Sequence, residues 1–127
     1  MKKVYVAGAI SADNIEQGLR NIQKGISMGA SLMKVGYSPY VPHLDYQYNL
    51  VHPKANIDVE TYYKHDLEWL GLCDCVLVLE GWENSKGVAK ELQFAKENKI
   101  PIYFSVTELF ESEPIEMCVK SGHRFVL

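Results

Sequence analysis

The stretch GWENSKGVAKEL, which follows the apolar run CVLVLE, has residue types suited to chemistry on a small anion. Ser85 and Gly87 open a predicted helix, and a helix N-terminus offers free backbone N–H groups and a partial positive charge. A phosphate or carboxylate can bind there, since the Ser85 hydroxyl adds a donor and Gly87 leaves the backbone accessible. Glu91 lies near the end of the second turn, and its side chain leans back toward the same N-terminus. Simpler explanations stay open, because Ser85 could only cap the helix and Glu91 could be a solvated surface acid.

A second acid, Asp66, lies mid-helix in the segment KHDLEWL, although aspartate is a poor helix former. It could be a surface acid, a partner of an adjacent basic residue, or a functional group. His43 and Asp45 follow the second predicted strand at its carboxyl end, where a lone histidine is more often a structural hydrogen-bonding group than a catalyst. Tyr5 belongs to the first predicted strand, and Trp82 follows the third. Packing in the core is the simplest explanation for Tyr5, whereas Trp82 could shape a binding pocket.

The composition limits the class of protein. The 127 residues are 47% apolar and 23% charged, with a net charge of −3, as expected for a single globular domain over residues 1–127. The chain lacks a Lys/Arg block, so we expect no nucleic-acid polymer as a partner, and it lacks an apolar run of about 18–20 residues, so we expect no membrane span. Cys73, Cys75 and Cys118 form an odd set without a signal peptide, which favours a reducing cytoplasm. Their spacing does not match a zinc site, and we predict neither a metal nor a cofactor.

Strands and helices alternate along the sequence. We predict strands over 3–8, 37–42, 75–80, 100–105 and 123–127, and helices that end near 35, 72, 98 and 112. Such alternation predicts a parallel sheet covered by helices: a flavodoxin- or Rossmann-like three-layer α/β sandwich with a four- to five-stranded, mostly parallel sheet. Ligands bind beyond the carboxyl ends of such strands, so residues 8–14, 42–56 and 81–87 are expected on one rim.

The first helix is predicted to carry one apolar face. The pattern has helical spacing and is typical of a face that packs on a core. Its members are Ile15, Leu19, Ile22, Ile26, Ala30 and Met33.

Three segments in order, KVYVAGAIS, HDLEWLGLCDCVLVLEGW and SKGVAKELQFA, resemble the nucleoside 2-deoxyribosyltransferase-like superfamily over roughly residues 3–103. Two branches are most similar. One is the 2′-deoxynucleoside 5′-monophosphate N-hydrolases, and the other is a set of small, often phage-encoded proteins with a GW-x-x-S-x-G-x-x-x-E signature.

The resemblance implies roles for individual residues. Glu91 matches the nucleophilic glutamate, Asp66 the catalytic aspartate, and Tyr5 a tyrosine near the nucleophile. A serine at position 85, where the free-nucleoside transferases typically have an acid, favours a 5′-phosphorylated ligand. The substrate-binding set that we predict comprises Gly8, Ala9, Ile10, Ser11, Asn14, His43, Asp45, Trp82, Ser85 and Gly87.

The function implied is cleavage of the N-glycosidic bond of a nucleoside 5′-monophosphate, or transfer of its (deoxy)ribosyl group, through a glycosyl-enzyme intermediate. The partner is then a small nucleotide or nucleoside. Relatives of this kind form homodimers or higher homo-oligomers, in which His123 and Arg124 could complete a neighbouring site. Three alternatives remain: a non-catalytic nucleotide sensor or sponge on the same scaffold, a glycohydrolase for another nucleotide such as NAD, and a flavin-binding domain. The first loop lacks the arginine that the monophosphate hydrolases often use for phosphate.

Overall fold

The computed structural model describes residues 1–115. Cys118, His123, Arg124 and the last predicted strand lie outside this range. The strands are β1 (Lys3–Ala7), β2 (Ser38–Tyr40), β3 (Cys75–Val78) and β4 (Ile102–Tyr103). The α-helices are α1 (Ile15–Val35), α2 (Tyr46–Val51), α3 (Val59–Leu70), α4 (Lys86–Glu97) and α5 (Val106–Ser112). Two short 3₁₀ helices, Pro42–Asp45 and Pro53–Ala55, flank α2.

The four strands of the described residues form one parallel sheet in the order β2-β1-β3-β4. The chain leaves β1 toward β2 on one side and returns to β3 on the other, so the ends of β1 and β3 form the topological switch point. Helices α1 and α5 contribute to the core on one face, around Val4, Val6 and Leu77. Helices α3 and α4 contribute on the other face, around Tyr5 and Val76. The predicted three-layer α/β fold is therefore confirmed.

Helix boundaries follow from local capping groups. Asn14, Asp58 and Ser85 precede α1, α3 and α4, and each side chain accepts a hydrogen bond from the backbone N–H three residues later. Gly36 ends α1 in the left-handed conformation, with φ of 113°, as the sequence predicts. The long connection over residues 42–56, by contrast, is mostly helical, because it contains α2 and both 3₁₀ helices.

The predicted apolar face of α1 does not face the core. Ile15, Leu19 and Met33 are 82%, 58% and 62% exposed. The buried face instead includes Gly25 and Gly29, which lie against the segment after β2. A Cβ at Gly25 would come within 2.2 Å of His43 Cγ, and one at Gly29 within 2.5 Å of Val41 Cγ2. The backbone of α1 thus approaches the segment after β2 so closely that only small residues fit between them. This close packing, and not the hydrophobic pattern, decided which face of α1 is buried.

In residues 1–115, no helix combines the length and the apolar character needed to cross a membrane.

Candidate active site

Tyr5 and Glu91 form a hydrogen-bonded pair between the sheet and α4. The β1 strand is buried, and Tyr5 belongs to the core beneath α3 and α4. Its hydroxyl donates to Glu91 Oε2. Burial raises the pKa of Glu91 to about 8, although the Tyr5 hydrogen bond opposes the rise and the charge of Asp45 adds to it. Burial and the facing carboxylates raise the pKa of Tyr5 well above its usual value, so Tyr5 remains a donor.

Asp66 is the other acid of the site. It lies on the inner side of α3 and is only 7% exposed. Its Oδ1 accepts a hydrogen bond of 3.1 Å from the Tyr40 hydroxyl. Burial raises the pKa of Asp66 to about 9, and the hydrogen bond and charge of Asp45 contribute further, with Glu91 adding a smaller repulsion. The Tyr40 hydrogen bond acts in the opposite direction. Asp66 therefore carries a proton at neutral pH and can donate it.

The two acids come from separate helices and face the same part of the sheet. Tyr5 and Tyr40 are register partners in β1 and β2, and their rings stack with centroids 5.5 Å apart. Each tyrosine holds one acid, Glu91 for Tyr5 and Asp66 for Tyr40. A pair of carboxyl groups in one low-dielectric site can divide the roles of nucleophile and proton donor, provided that one is ionised and the other is not.

A cavity of about 650 Å³ lies between β2, α2 and α3. Neither acid lines it, but Tyr40, which hydrogen bonds to Asp66, does. Aromatic rings form much of its wall, including Tyr40, Tyr48 and Trp69, and the last stacks on Tyr40 with centroids 5.7 Å apart. Asp45 and His65 provide polar groups in the same wall. The volume and the mixture of aromatic and polar groups fall in the range found for small-molecule sites.

Three of these groups could also hold a cation. Asp45, His65 and Asp66 each offer one ligand atom, and these atoms lie within 4.8 Å of one another. A proton explains the same arrangement, because a proton shared between the neighbouring Asp45 and Asp66 carboxyls would relieve their repulsion. The absence of a metal from the reaction stays a prediction.

Ser85 and Gly87 lie at the N-terminus of α4. Ser85 is the N-cap, and its Oγ accepts from the backbone N–H of Val88 at 3.2 Å. The cap leaves the hydroxyl hydrogen of Ser85 free to point toward a ligand. Gly87 faces Tyr63, since a Cβ would be 3.4 Å from Tyr63 Cε1. The first turn of α4 contains no acidic residue, so an anion would meet no repulsion from it.

Gly8 and His43 contact each other at the end of β1. A Cβ at Gly8 would lie 2.9 Å from Leu79 Cδ1 and 3.2 Å from His43 Nε2, so packing alone accounts for this glycine. His43 is 1% exposed, and burial lowers its pKa to about 4, partly opposed by the Ala9 backbone. His43 is therefore neutral at physiological pH and supports the turn rather than carrying charge.

The other predicted rim residues have local structural roles or face solvent. Asn14 caps α1, and the Ile10 carbonyl accepts a hydrogen bond of 3.3 Å from Asn21. Ser11 is exposed, and the Trp82 ring packs on Phe104 with centroids 5.6 Å apart. Four of the predicted residues interact with one another through their carboxyl or hydroxyl groups: Tyr5, Asp45, Asp66 and Glu91.

Sequence reasoning missed Tyr40 and Trp69. A signal existed for Tyr40, because it lies near the carboxyl end of the second predicted strand, residues 37–42, where ligands bind to parallel sheets. Trp69 carried no comparable signal, since an aromatic residue at helical spacing is more often part of a core.

Comparison with known proteins places the chain in a family. Residues 2–104 match the family described as Domain of unknown function (DUF4406). Among solved structures, the chain is similar to a 2-deoxyribosyltransferase from the psychrotolerant bacterium Bacillus psychrosaccharolyticus, with 16% identity and a TM-score of 0.56, covering 97% of this chain and 93% of that one. No curated protein sequence matches significantly. The resemblance to the nucleoside 2-deoxyribosyltransferase-like superfamily is thus confirmed at the level of the fold, and the chain belongs to the DUF4406 family.

Proposed function

We propose that this protein cleaves the N-glycosidic bond of a nucleoside or nucleoside 5′-monophosphate, or transfers its (deoxy)ribosyl group to another base. The observation that carries the proposal is that Glu91 and Asp66, from α4 and α3, face one site and are held by two stacked tyrosines. The fold shared with a 2-deoxyribosyltransferase supports the same class of reaction.

In this reaction Glu91 is the nucleophile and Asp66 the general acid. Glu91 reacts in its ionised form, which is the minor form at pH 7 and the major form above its pKa of about 8. Its carboxylate attacks the anomeric carbon, and the electron pair of the breaking C–N bond moves to the base. Asp66 gives its proton to the departing base, which leaves a glycosyl ester on Glu91 and a carboxylate on Asp66. Water then attacks the ester, Asp66 takes back a proton, and the free sugar and Glu91 are released. A second base in place of water gives transfer.

The base is placed in the aromatic cavity next to Asp66. Tyr40 and Trp69 provide flat apolar surfaces for a heterocyclic ring, and Asp45 and His65 provide polar groups for its edge. The sugar then lies between this cavity and Glu91. This arrangement brings the leaving nitrogen to the proton of Asp66.

A 5′-phosphate on the substrate is placed at the N-terminus of α4. The supporting features are the Ser85 hydroxyl, the free backbone N–H groups of the first turn and the cationic Lys86 at its start. The reaction is placed in the cytoplasm, in line with the free thiols of Cys73 and Cys75.

The test is release of free base from a panel of nucleosides and their 5′-monophosphates, followed by liquid chromatography. Wild type is expected to release base from at least one substrate, and Glu91→Gln to lose at least a thousandfold of that rate while still binding. The matched control is Glu97→Gln, on the exposed side of the same helix, which should keep the wild-type rate. Binding without turnover by wild type would favour the non-catalytic sensor or sponge instead.

The partner of the exposed α1 face is proposed to be a second copy of the chain. Its 21 residues span about 30 Å, and its apolar stripe includes Ile15, Leu19 and Met33. An antiparallel pair of α1 helices would also bring Glu16 near Lys34 of the other copy, which favours this pairing electrostatically. Light scattering after size exclusion is expected to give the mass of a dimer. Leu19→Glu should shift it to a monomer, and a wild-type monomer would refute the pairing.

A further inference from the structure

Tyr40 occupies a central position between the two acids. It is the register partner of Tyr5 across β1 and β2. One side of its ring stacks on Tyr5 at 5.5 Å and 20°, and it also stacks on Trp69 at 5.7 Å and 12°. Its hydroxyl reaches Asp66 Oδ1 at 3.1 Å. Tyr40 thus contacts the partner of Glu91, holds Asp66 and lines the aromatic cavity.

We propose that Tyr40 is a positioning residue, which fixes the Asp66 carboxyl by its hydroxyl and ties it, through the stacked Tyr5 ring, to the position of Glu91. Only the predicted effect of Tyr40 on catalysis rests on the proposed function. The contacts themselves exist without substrate, so the arrangement of Asp66 can be tested in the unliganded protein.

Tyr40 also acts on the proton of Asp66. The ionisable groups that face Asp66 are Asp45 from the 3₁₀ helix, Glu91 from α4, Tyr5 from β1, Tyr40 from β2, and Tyr62 and His65 from α3 itself. Burial, Asp45 and Glu91 all raise the pKa of Asp66, whereas the Tyr40 hydrogen bond lowers it. Loss of this hydroxyl should therefore raise the pKa of Asp66 above about 9. A hydrogen bond to a charged group corresponds to a change of about one pH unit.

The decisive variant is Tyr40→Phe, which keeps the ring and removes the hydroxyl. In cation-free protein kept in EDTA and labelled with ¹³C at aspartate carboxyls, the Asp66 resonance of Tyr40→Phe, assigned with Asp66→Asn, should titrate about one unit higher than in wild type. The matched control is Tyr37→Phe, which also removes a buried, ring-stacked hydroxyl, one that donates to the Glu113 carbonyl at 2.8 Å on the other face. This control should leave the Asp66 titration unchanged.

Kinetics provide a second measurement. Because Asp66 acts in its protonated form, the alkaline limb of the pH profile of kcat/KM should move up by about one pH unit in Tyr40→Phe. In Tyr37→Phe this limb should stay in place. At the pH optimum, kcat should fall about tenfold with KM nearly unchanged, as expected when a group is mispositioned in the transition state.

A further variant guards against a folding defect in Tyr40→Phe. 3-Fluorotyrosine at position 40 keeps the ring and the hydroxyl but donates more strongly, so the Asp66 titration should move downward. An Asp66 titration that is identical in wild type, Tyr40→Phe and the fluorinated protein would overturn the proposal. If wild type cleaves no substrate, the proposed function fails while the carboxyl titration still decides the role of Tyr40.

Discussion

The carboxyl of Glu91 lies in an environment that disfavours its charge, and the cost should be measurable as stability. Its pKa is about 8 in the folded protein and 4.5 as an ordinary side chain. Between these values the folded state binds more protons at this group than the unfolded state does. The contribution of Glu91 to the free energy of unfolding is therefore greatest below about pH 4.5 and decreases as the pH rises through about 8. A shift of this size corresponds to ~5 kcal/mol above pH 8 for a group wholly removed from water.

Glu91→Gln removes the charge and keeps the shape of the side chain, so it should abolish the decrease in stability that the Glu91 charge causes at high pH. Glu91 is partly exposed, and solvent screening reduces the expected gain to ~2 kcal/mol at pH 8–9. For a chain of this size the gain corresponds to a Tm increase of roughly 6–10 °C. At pH 4 both proteins carry a neutral side chain there, and their Tm values should agree within about 1–2 °C.

Thermal unfolding followed by circular dichroism between pH 4 and pH 9 provides the measurement. Glu97→Gln, at an exposed position of α4, should show no such pH-dependent gain. The reasoning would be refuted by a stability difference between wild type and Glu91→Gln that is the same at pH 4 and pH 9. A variant less stable than wild type at pH 9 would refute it as well.

Two other predictions concern the site and its support. Tyr5→Phe removes the hydrogen bond that opposes the raised pKa of Glu91. The acid limb of the pH profile of kcat/KM should therefore move up by about one pH unit, and the rate at pH 7 should fall about tenfold. An acid limb that does not move would contradict the role of Tyr5. Gly25→Ala places a Cβ within 2.2 Å of the His43 ring and should lower the free energy of unfolding by ~2–4 kcal/mol in urea denaturation. Gly18→Ala, whose Cβ would meet nothing nearer than 4.0 Å, should instead stabilise the same helix by ~0.5–1 kcal/mol; equal effects of the two changes would show that close packing does not orient α1.

Much of the architecture could be predicted from local patterns. The buried runs around Val4 and Val76 and the caps at Ser85 and Gly36 place strand and helix boundaries within a few residues of those observed. Alternation of strands and helices then leaves few topologies, because parallel strands need crossover helices. The helices in residues 42–56 were missed, since their short segments lack a long enough hydrophobic period.

The sequence could also place Glu91 and Asp66 on facing helices, but not their chemical states. A raised pKa depends on burial and on neighbours far apart in the chain, such as Asp45 for Asp66, and these distances exist only in the folded protein. The role of Tyr40 depends in the same way on the β1–β2 register.

By itself, then, the sequence determined the order of strands and helices, the parallel sheet and the rim on which polar residues collect, because these follow from short-range periodicity and capping. Only the tertiary structure decided which face of α1 is buried, which acid carries a proton and which tyrosine hydrogen bonds to that acid. Those outcomes depend on close contacts and dielectric environment between residues distant in sequence, and a linear pattern of residue types does not contain them.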